Sequence, residues 1–214
     1  MAFSGIPFAA LDFYEDLEAD NSKSYWTAHK QVYDESVRIP ITELVAELTD
    51  EFGPGKYFRP YRDVRFSKDK RPYKDHQGVY FGESRRYFHV SAAGLFVGGG
   101  YYDMASDQIE RYRRAVDSDV TGHRLLKAIG TAEQAKLELG GQLLTRVPSG
   151  FDKHHAREEL LRRKSLTSHR EFGSPQWLTT KRAKAELVKA WRAMHPVIDW
   201  LETNVGPSNQ AHGR

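Results

Sequence analysis

The chain contains no cysteine, which excludes a disulfide framework, a cysteine nucleophile and any thiolate metal site. That composition fits a reducing compartment. No run approaches the roughly 20 apolar residues that cross a bilayer as a helix, so no membrane association is expected. The opening stretch MAFSGIPFAALDFYEDLEAD has no basic segment and turns acidic by Asp12. It does not read as a secretory signal, and the cytoplasm is the default location. HExxH, GxSxG and the phosphate-loop GxxxxGK[ST] are all missing. No metal site is expected and no cofactor is implied. There is no internal repeat and no low-complexity segment.

Charge is nearly balanced. Thirty-two Lys and Arg against 29 Asp and Glu leave +3, with a pI near 9.0. Aromatics at 12% argue for a packed core rather than disorder. A length of 214 residues suits one large domain. It is expected over residues 1–206, with 207–214, PSNQAHGR, as an unstructured tail.

Periodicity divides the chain into helices, strands and helices again. Phe8, Leu11, Tyr14 and Leu17 recur at helical spacing. Asp20 or Asn21 is placed to cap a second helix carrying Tyr25, Trp26, His29, Val32 and Tyr33. Pro40 opens a third, with Ile41, Leu44, Val45, Leu48 and Phe52 inward. From Tyr57 to about Gly100 the period becomes two. This predicts a strand through Asp63–Ser67, another at Val79–Gly82, and a hairpin of Tyr87–Ser91 with Leu95–Gly98. A helix is expected near 153–163 and a strand at 165–169. A long final helix should open at Ser174-Pro175 and kink or split at Pro196. The class is α+β, an antiparallel or mixed central sheet (about residues 57–100) packed by N- and C-terminal helices.

The charge is not evenly spread. Residues 59–76, RPYRDVRFSKDKRPYKDH, hold seven Lys/Arg and three Asp, a local +4 that leaves −1 for everything else. Arginine offers a planar fork matched to phosphate or carboxylate, and lysine a mobile point charge. Arg62, Arg65, Ser67, Lys68, Lys70 and Lys74 are therefore candidate ligand-binding residues. Alternation would place Asp63, Arg65 and Ser67 side by side on the face away from the core. Asp63, Asp69, Tyr73, His76 and His89 are the candidate acid–base groups. The leading expectation is a site that binds, or binds and transforms, a small phosphate- or carboxylate-bearing ligand. Nucleic acid ranks second, because nine aromatics interleave with cations over 57–88. A third reading is a structural or partner-binding protein in which Arg62–Asp63–Arg65 and Lys68–Asp69–Lys70 form an ion-pair lattice. The glycines at 98–100 read as a strained turn or bulge. The arginines at 111, 113, 114, 162 and 163 read as solvated helix faces.

At this block the chain resembles a known family. RDVRFSKDKRPYK, residues 62–74, is similar to the signature of DUF2461, a family of uncharacterised proteins. The resemblance runs from about residue 3 to 205. Phe13, Leu17, Asn21, Tyr25 and Trp26 look like the family's opening pattern, which Lys30, Tyr33 and Pro40 continue. The turns at 98–100 and 148–151, His154 or His155, and residues 161–164 also fit. Ser22, Tyr25-Trp26 and Thr27 depart from the usual Asn, Trp-Phe and acidic residue. The resemblance implies no established activity.

Overall fold

The computed structural model describes residues 2–65 and 67–210. The chain is α+β. Eight α-helices, α1 Ala9–Ala19, α2 Lys23–Ala28, α3 Lys30–Val32, α4 Ile39–Phe52, α5 Ser106–Asp117, α6 Asp119–Gln134, α7 Glu158–Leu161 and α8 Arg182–Asn204, accompany six strands. These are β1 Gly55–Tyr57, β2 His76–Phe81, β3 Arg86–Ser91, β4 Gly94–Tyr101, β5 Glu138–Gly140 and β6 Leu166–Gly173. They form one open antiparallel sheet of order β1-β2-β3-β4-β6-β5, with β1 at an outer edge. The sheet thus extends past the expected 57–100 region. No helix among the described residues is long and apolar enough to cross a membrane.

By packing, the chain forms two compact units, Met1–Val97 with Glu171–Lys189, and Gly98–Arg170 with Ala190–Arg214. In the first, β2 and β3 run antiparallel with Gly78 opposite His89 and Val79 opposite Phe88. Successive side chains alternate between faces. Val79, Phe81, Phe88 and Val90 are buried, as are Leu11, Phe13, Tyr14 and Leu17 of α1 and Ile41, Leu44, Val45 and Leu48 of α4. Each such side chain stabilises the fold by about 1.5–3 kcal/mol through loss of water contact.

The connection from α2 to α4 differs from the expected pair of regular helices. Ser22, not Asp20 or Asn21, caps α2, its Oγ accepting from the Tyr25 amide at 3.1 Å. The helix breaks at His29, whose Nδ1 donates to the Tyr25 carbonyl at 2.9 Å while its ring stacks on Tyr25 at 4.0 Å. Residues Tyr33–Arg38 then form a π-helical turn. Its extra residue brings both Tyr33 and Val37 into the core and ends just before Pro40, which has no amide for a helical rung. Val32, expected inward, is exposed.

In the second unit, Tyr112 and Val116 of α5, Leu125, Ala128, Ile129 and Ala132 of α6, and Met194, Val197, Trp200 and Leu201 of α8 are buried, and the Tyr112 and Trp200 rings meet edge-on at 6.0 Å. The expected helix near 153–163 shrinks to α7, and the final helix starts at Arg182 after a 3₁₀ turn at Gln176–Thr179. Helix α8 runs continuously through Pro196. Burial of Met194, Val197 and Ile198 around it offsets the missing rung. The glycines at 98–100 lie inside β4 rather than in a turn. Gly100 has φ +123°, and a Cβ there would sit 2.5 Å from the Leu166 carbonyl oxygen. A side chain is excluded so that the β6 backbone can approach.

Several arginines of this unit hold carbonyl groups, whereas Arg114 lies on a solvated helix face as expected and pairs with Glu110. Arg111 donates to the carbonyls of Val205 and Pro207, Arg113 to Leu161, and Arg162 to Leu144. Buried Arg157 ties the carbonyls of Val116 and Asp117 at 2.7 and 2.9 Å, where α5 ends and α6 begins. Within the expected tail, Ser208 Oγ and the Asn209 amide both donate to Asp107. Residues 211–214 lie outside the described residues.

Candidate functional site

The basic block is a loop with a closed neck. The Arg62 amide donates to the Pro72 carbonyl at 2.8 Å and the Lys74 amide to the Pro60 carbonyl at 2.7 Å. Tyr61 bridges Tyr73 in antiparallel register between them. Asn21 anchors the neck: its Oδ1 accepts from the Tyr73 amide at 2.9 Å and its Nδ2 donates to the Tyr73 carbonyl at 3.3 Å. The Tyr73 ring stacks on buried Trp26 with 4.4 Å between centroids and 8° between planes. The Phe13 and Tyr33 rings also lie against Trp26, with centroids 5.8 and 4.9 Å away.

The expected strand through 63–67 does not form. Local side-chain bonds outcompete a ladder. Asp63 Oδ1 accepts from the Arg65 amide, and Asp69 Oδ1 from the Arg71 amide, at 3.2 and 3.0 Å. In both turns the arginine two residues on folds back onto the same aspartate, Arg65 at 2.7 Å and Arg71 at 2.8 Å. Ser67 Oγ accepts from the Asp69 amide. Asp63, Arg65 and Ser67 therefore do not emerge as one array. Phe66, expected to face the core side, lies outside the described residues.

Arg62 ties the second of these Asp-x-Arg turns to Asp75. Its guanidinium reaches Asp69 at 2.6 Å and Asp75 at 2.8 Å. Asp75 in turn accepts from His76 Nδ1 at 2.7 Å, since a carboxylate only accepts. That fixes the imidazole and leaves Nε2 as its basic nitrogen. The ion pairing thus differs from the expected lattice: Arg62 passes over Asp63 for Asp69 and Asp75, and Asp69 binds Arg62 and Arg71 rather than Lys68 and Lys70. Hydrogen bonding from Arg71 holds the Asp69 carboxyl down at about 2. Burial raises Asp75, but His76 and Arg62 outweigh it and leave that carboxyl below its ordinary value.

Beside this network lies an open cavity of about 760 Å³. Lys56, Arg59, Arg62, Arg65 and Lys74 line it with a single carboxylate, Asp63, and Tyr57, Phe58 and Tyr61 supply aromatic walls. Lys74 Nζ lies 5.1 Å above the Phe58 ring. Phe58 itself is seated where Gly78 has no side chain: a Cβ there would meet the Phe58 ring at 3.0 Å and the Tyr87 hydroxyl at 2.5 Å. Burial first, and then repulsion from Arg59 and Arg62, lower the Lys74 pKa. Among the described residues, Lys56, Arg59 and Lys74 have no carboxylate within 4 Å, although the charge of Arg59 is felt at Asp63.

Of the residues singled out from sequence, Arg62, Arg65, Lys74 and Asp63 meet at this cavity. Ser67, Lys68 and Lys70 do not line it. Ser67 supports the second turn, Lys70 Nζ donates to the Val64 carbonyl at 3.0 Å, and Lys68 is exposed. Asp69 is occupied by two arginines. Tyr73 is buried against Trp26, and burial raises its pKa. His76 and His89 lie together on the β2–β3 face, rings 4.8 Å apart. His89 stacks on Phe96 at 4.7 Å, and its buried Nδ1 has no hydrogen-bond partner. Burial, then the charge of His76, push its pKa down to about 4. Lys56, Arg59, Asp75 and Asn21 were missed as site residues. The Asp75-His76 adjacency and the repeated Asp-x-Arg spacing were the available signals. The role of Asn21 depends on a contact across 52 positions.

An open antiparallel sheet flanked by helices, with a cationic cavity at its outer strand, defines an α+β protein of a recognisable kind. Residues 9–200 match the family model described as a conserved hypothetical protein, DUF2461, and the chain belongs to that family. Neither curated proteins nor solved structures provided a match.

Proposed function

We propose that the cavity beside β1 binds a small ligand bearing a phosphate or carboxylate. The observation that supports this is the imbalance of its lining, five basic side chains against one carboxylate. Arg62 and Arg65 are already ion-paired and serve as framework. Lys56, Arg59 and Lys74 are the cations left to meet an anion. Burial first, and then repulsion from Arg59 and Arg62, lower the Lys74 pKa, and a bound anion would relieve the repulsive part. Of the candidate acid–base groups, Asp63 lines the cavity, whereas His76, oriented by Asp75, lies outside its lining. A cysteine-free chain suits a cytoplasmic setting, where phosphorylated metabolites and organic acids are plentiful.

Nucleic-acid binding is favoured less. Such a surface needs a basic track leading away from the aromatics. Here the outward cations Arg65 and Arg71 are neutralised by Asp63 and Asp69.

The test is calorimetric titration with inorganic phosphate and with citrate, on wild type, Lys74→Met and Arg59→Met. Binding to wild type that weakens about tenfold or more in each variant is expected, as for loss of one charge-assisted contact. Absence of binding to wild type at millimolar anion, or identical binding by all three proteins, would refute the proposal.

A further inference from the structure

The aromatic walls of the same cavity narrow the class of ligand, an inference that rests on the anion-binding reading. Tyr61 is 54% exposed and Tyr57 41% exposed, although both line a concave site. Tyr61 is nevertheless anchored. Its backbone bridges Tyr73, and its ring lies 5.4 Å from Tyr73 and 6.0 Å from Trp26. It leans on the packed Trp26–Tyr73 stack and keeps half its surface open. An exposed ring that is already immobile is a stacking platform whose ordering cost was met in folding. Phe58 differs, because Lys74 Nζ covers its ring and positions the cation instead.

A planar π surface and uncompensated cations therefore share one cavity. A volume of about 760 Å³ falls in the range that encloses small organic ligands. An isolated phosphate would engage the cations and leave Tyr57 and Tyr61 in water. A sugar phosphate would do the same. We propose that the ligand is a planar aromatic ring carrying a phosphate or carboxylate, of mononucleotide size, with the ring against Tyr61 and the anionic group at Lys74 and Arg59.

The experiment compares matched pairs on the full chain at fixed low salt: AMP with ribose 5-phosphate, and orotate with succinate. In at least one pair the aromatic member is expected to bind about tenfold or more tightly, the usual size of one stacking contact. The pair that shows it identifies the anion. Tyr61→Ala should abolish that advantage, weakening the aromatic member about tenfold more than the non-aromatic one. Tyr61→Phe should retain it. Tyr57→Ala replaces Tyr61→Ala if the latter fails to fold, with a partial loss expected. Equal affinities within both pairs overturn the aromatic inference while the anion reading stands. If no anion binds at all, both fall together. An eight-residue oligothymidylate that binds far more tightly than AMP, with steep salt dependence, overturns the small-ligand class in favour of single-stranded nucleic acid.

Discussion

Asn21 satisfies both backbone groups of Tyr73, accepting from its amide at 2.9 Å and donating to its carbonyl at 3.3 Å across 52 positions of sequence. A single amide side chain thereby fixes the neck of the basic loop to the turn between α1 and α2. Asn21→Ala leaves two peptide groups without partners, and a loss of about 1–3 kcal/mol is expected. Asn21→Asp keeps the acceptor and loses only the donor, so it should cost less. Urea unfolding midpoints, compared at constant slope, measure the difference.

Arg62→Lys retains charge but loses the fork that spans Asp69 and Asp75. Both pairs are partly solvated, so global stability should fall by only about 1 kcal/mol or less. The larger effect is local. Amide exchange over 62–72 should accelerate well beyond that of β2 and β3, as read by native-state hydrogen exchange.

The buried imidazole of His89 makes stability depend on pH in mildly acidic solution. Its folded pKa of about 4 lies below the unfolded value of about 6.5, so the unfolded chain binds the proton first. Stability from this group is fully present above about pH 6.5 and declines as pH falls toward 4. The full loss is on the order of 3 kcal/mol. His89→Phe, which preserves the stack on Phe96, should remove that component of the slope. Thermal or urea unfolding of both proteins from pH 7 to 4 gives the comparison. Parallel curves would refute it.

Two glycines should respond in opposite directions to alanine. Gly100→Ala combines a strained φ with a Cβ 2.5 Å from a backbone oxygen of β6, and should cost about 3 kcal/mol or more, or prevent folding. Gly130 in α6 has nothing within 4 Å of a built Cβ. Gly130→Ala should stabilise by about 0.5–1 kcal/mol through helix propensity. Melting temperatures of purified variants check both.

Legibility followed the range over which each feature is determined. Helix α1, most of α4, the β3–β4 hairpin and β6 are set by local periodicity, and their side chains carry that pattern openly. The π turn at Tyr33–Arg38 was hidden, because only packing against the sheet reveals which residues must face inward. Alternation at 63–67 misled for a specific reason: Asp63 and Asp69 each bind the amide two residues on, a local competitor that hydrophobic pattern does not register. The cationic character of the site was visible in composition. Which cations are ion-paired and which face the cavity was not, since Asp75 and Asn21 act through contacts that the loop's folding creates. Pro196 was read as a break because its missing donor is local, whereas the burial that carries α8 through it is tertiary.

Strand β1 is three residues long and stands at the open margin of the sheet, so its outer row of peptide groups has no strand neighbour among the described residues. Lys56 sits on it and Arg59 just beyond. Positive charge on such a margin repels a second copy that would otherwise dock strand to strand. Lys56 and Arg59, beyond any part in the cavity, would therefore disfavour strand-to-strand pairing at this edge. Neutralising Lys56 and Arg59 together should raise light scattering relative to wild type at equal concentration, and a bound anion would partly lower the same barrier.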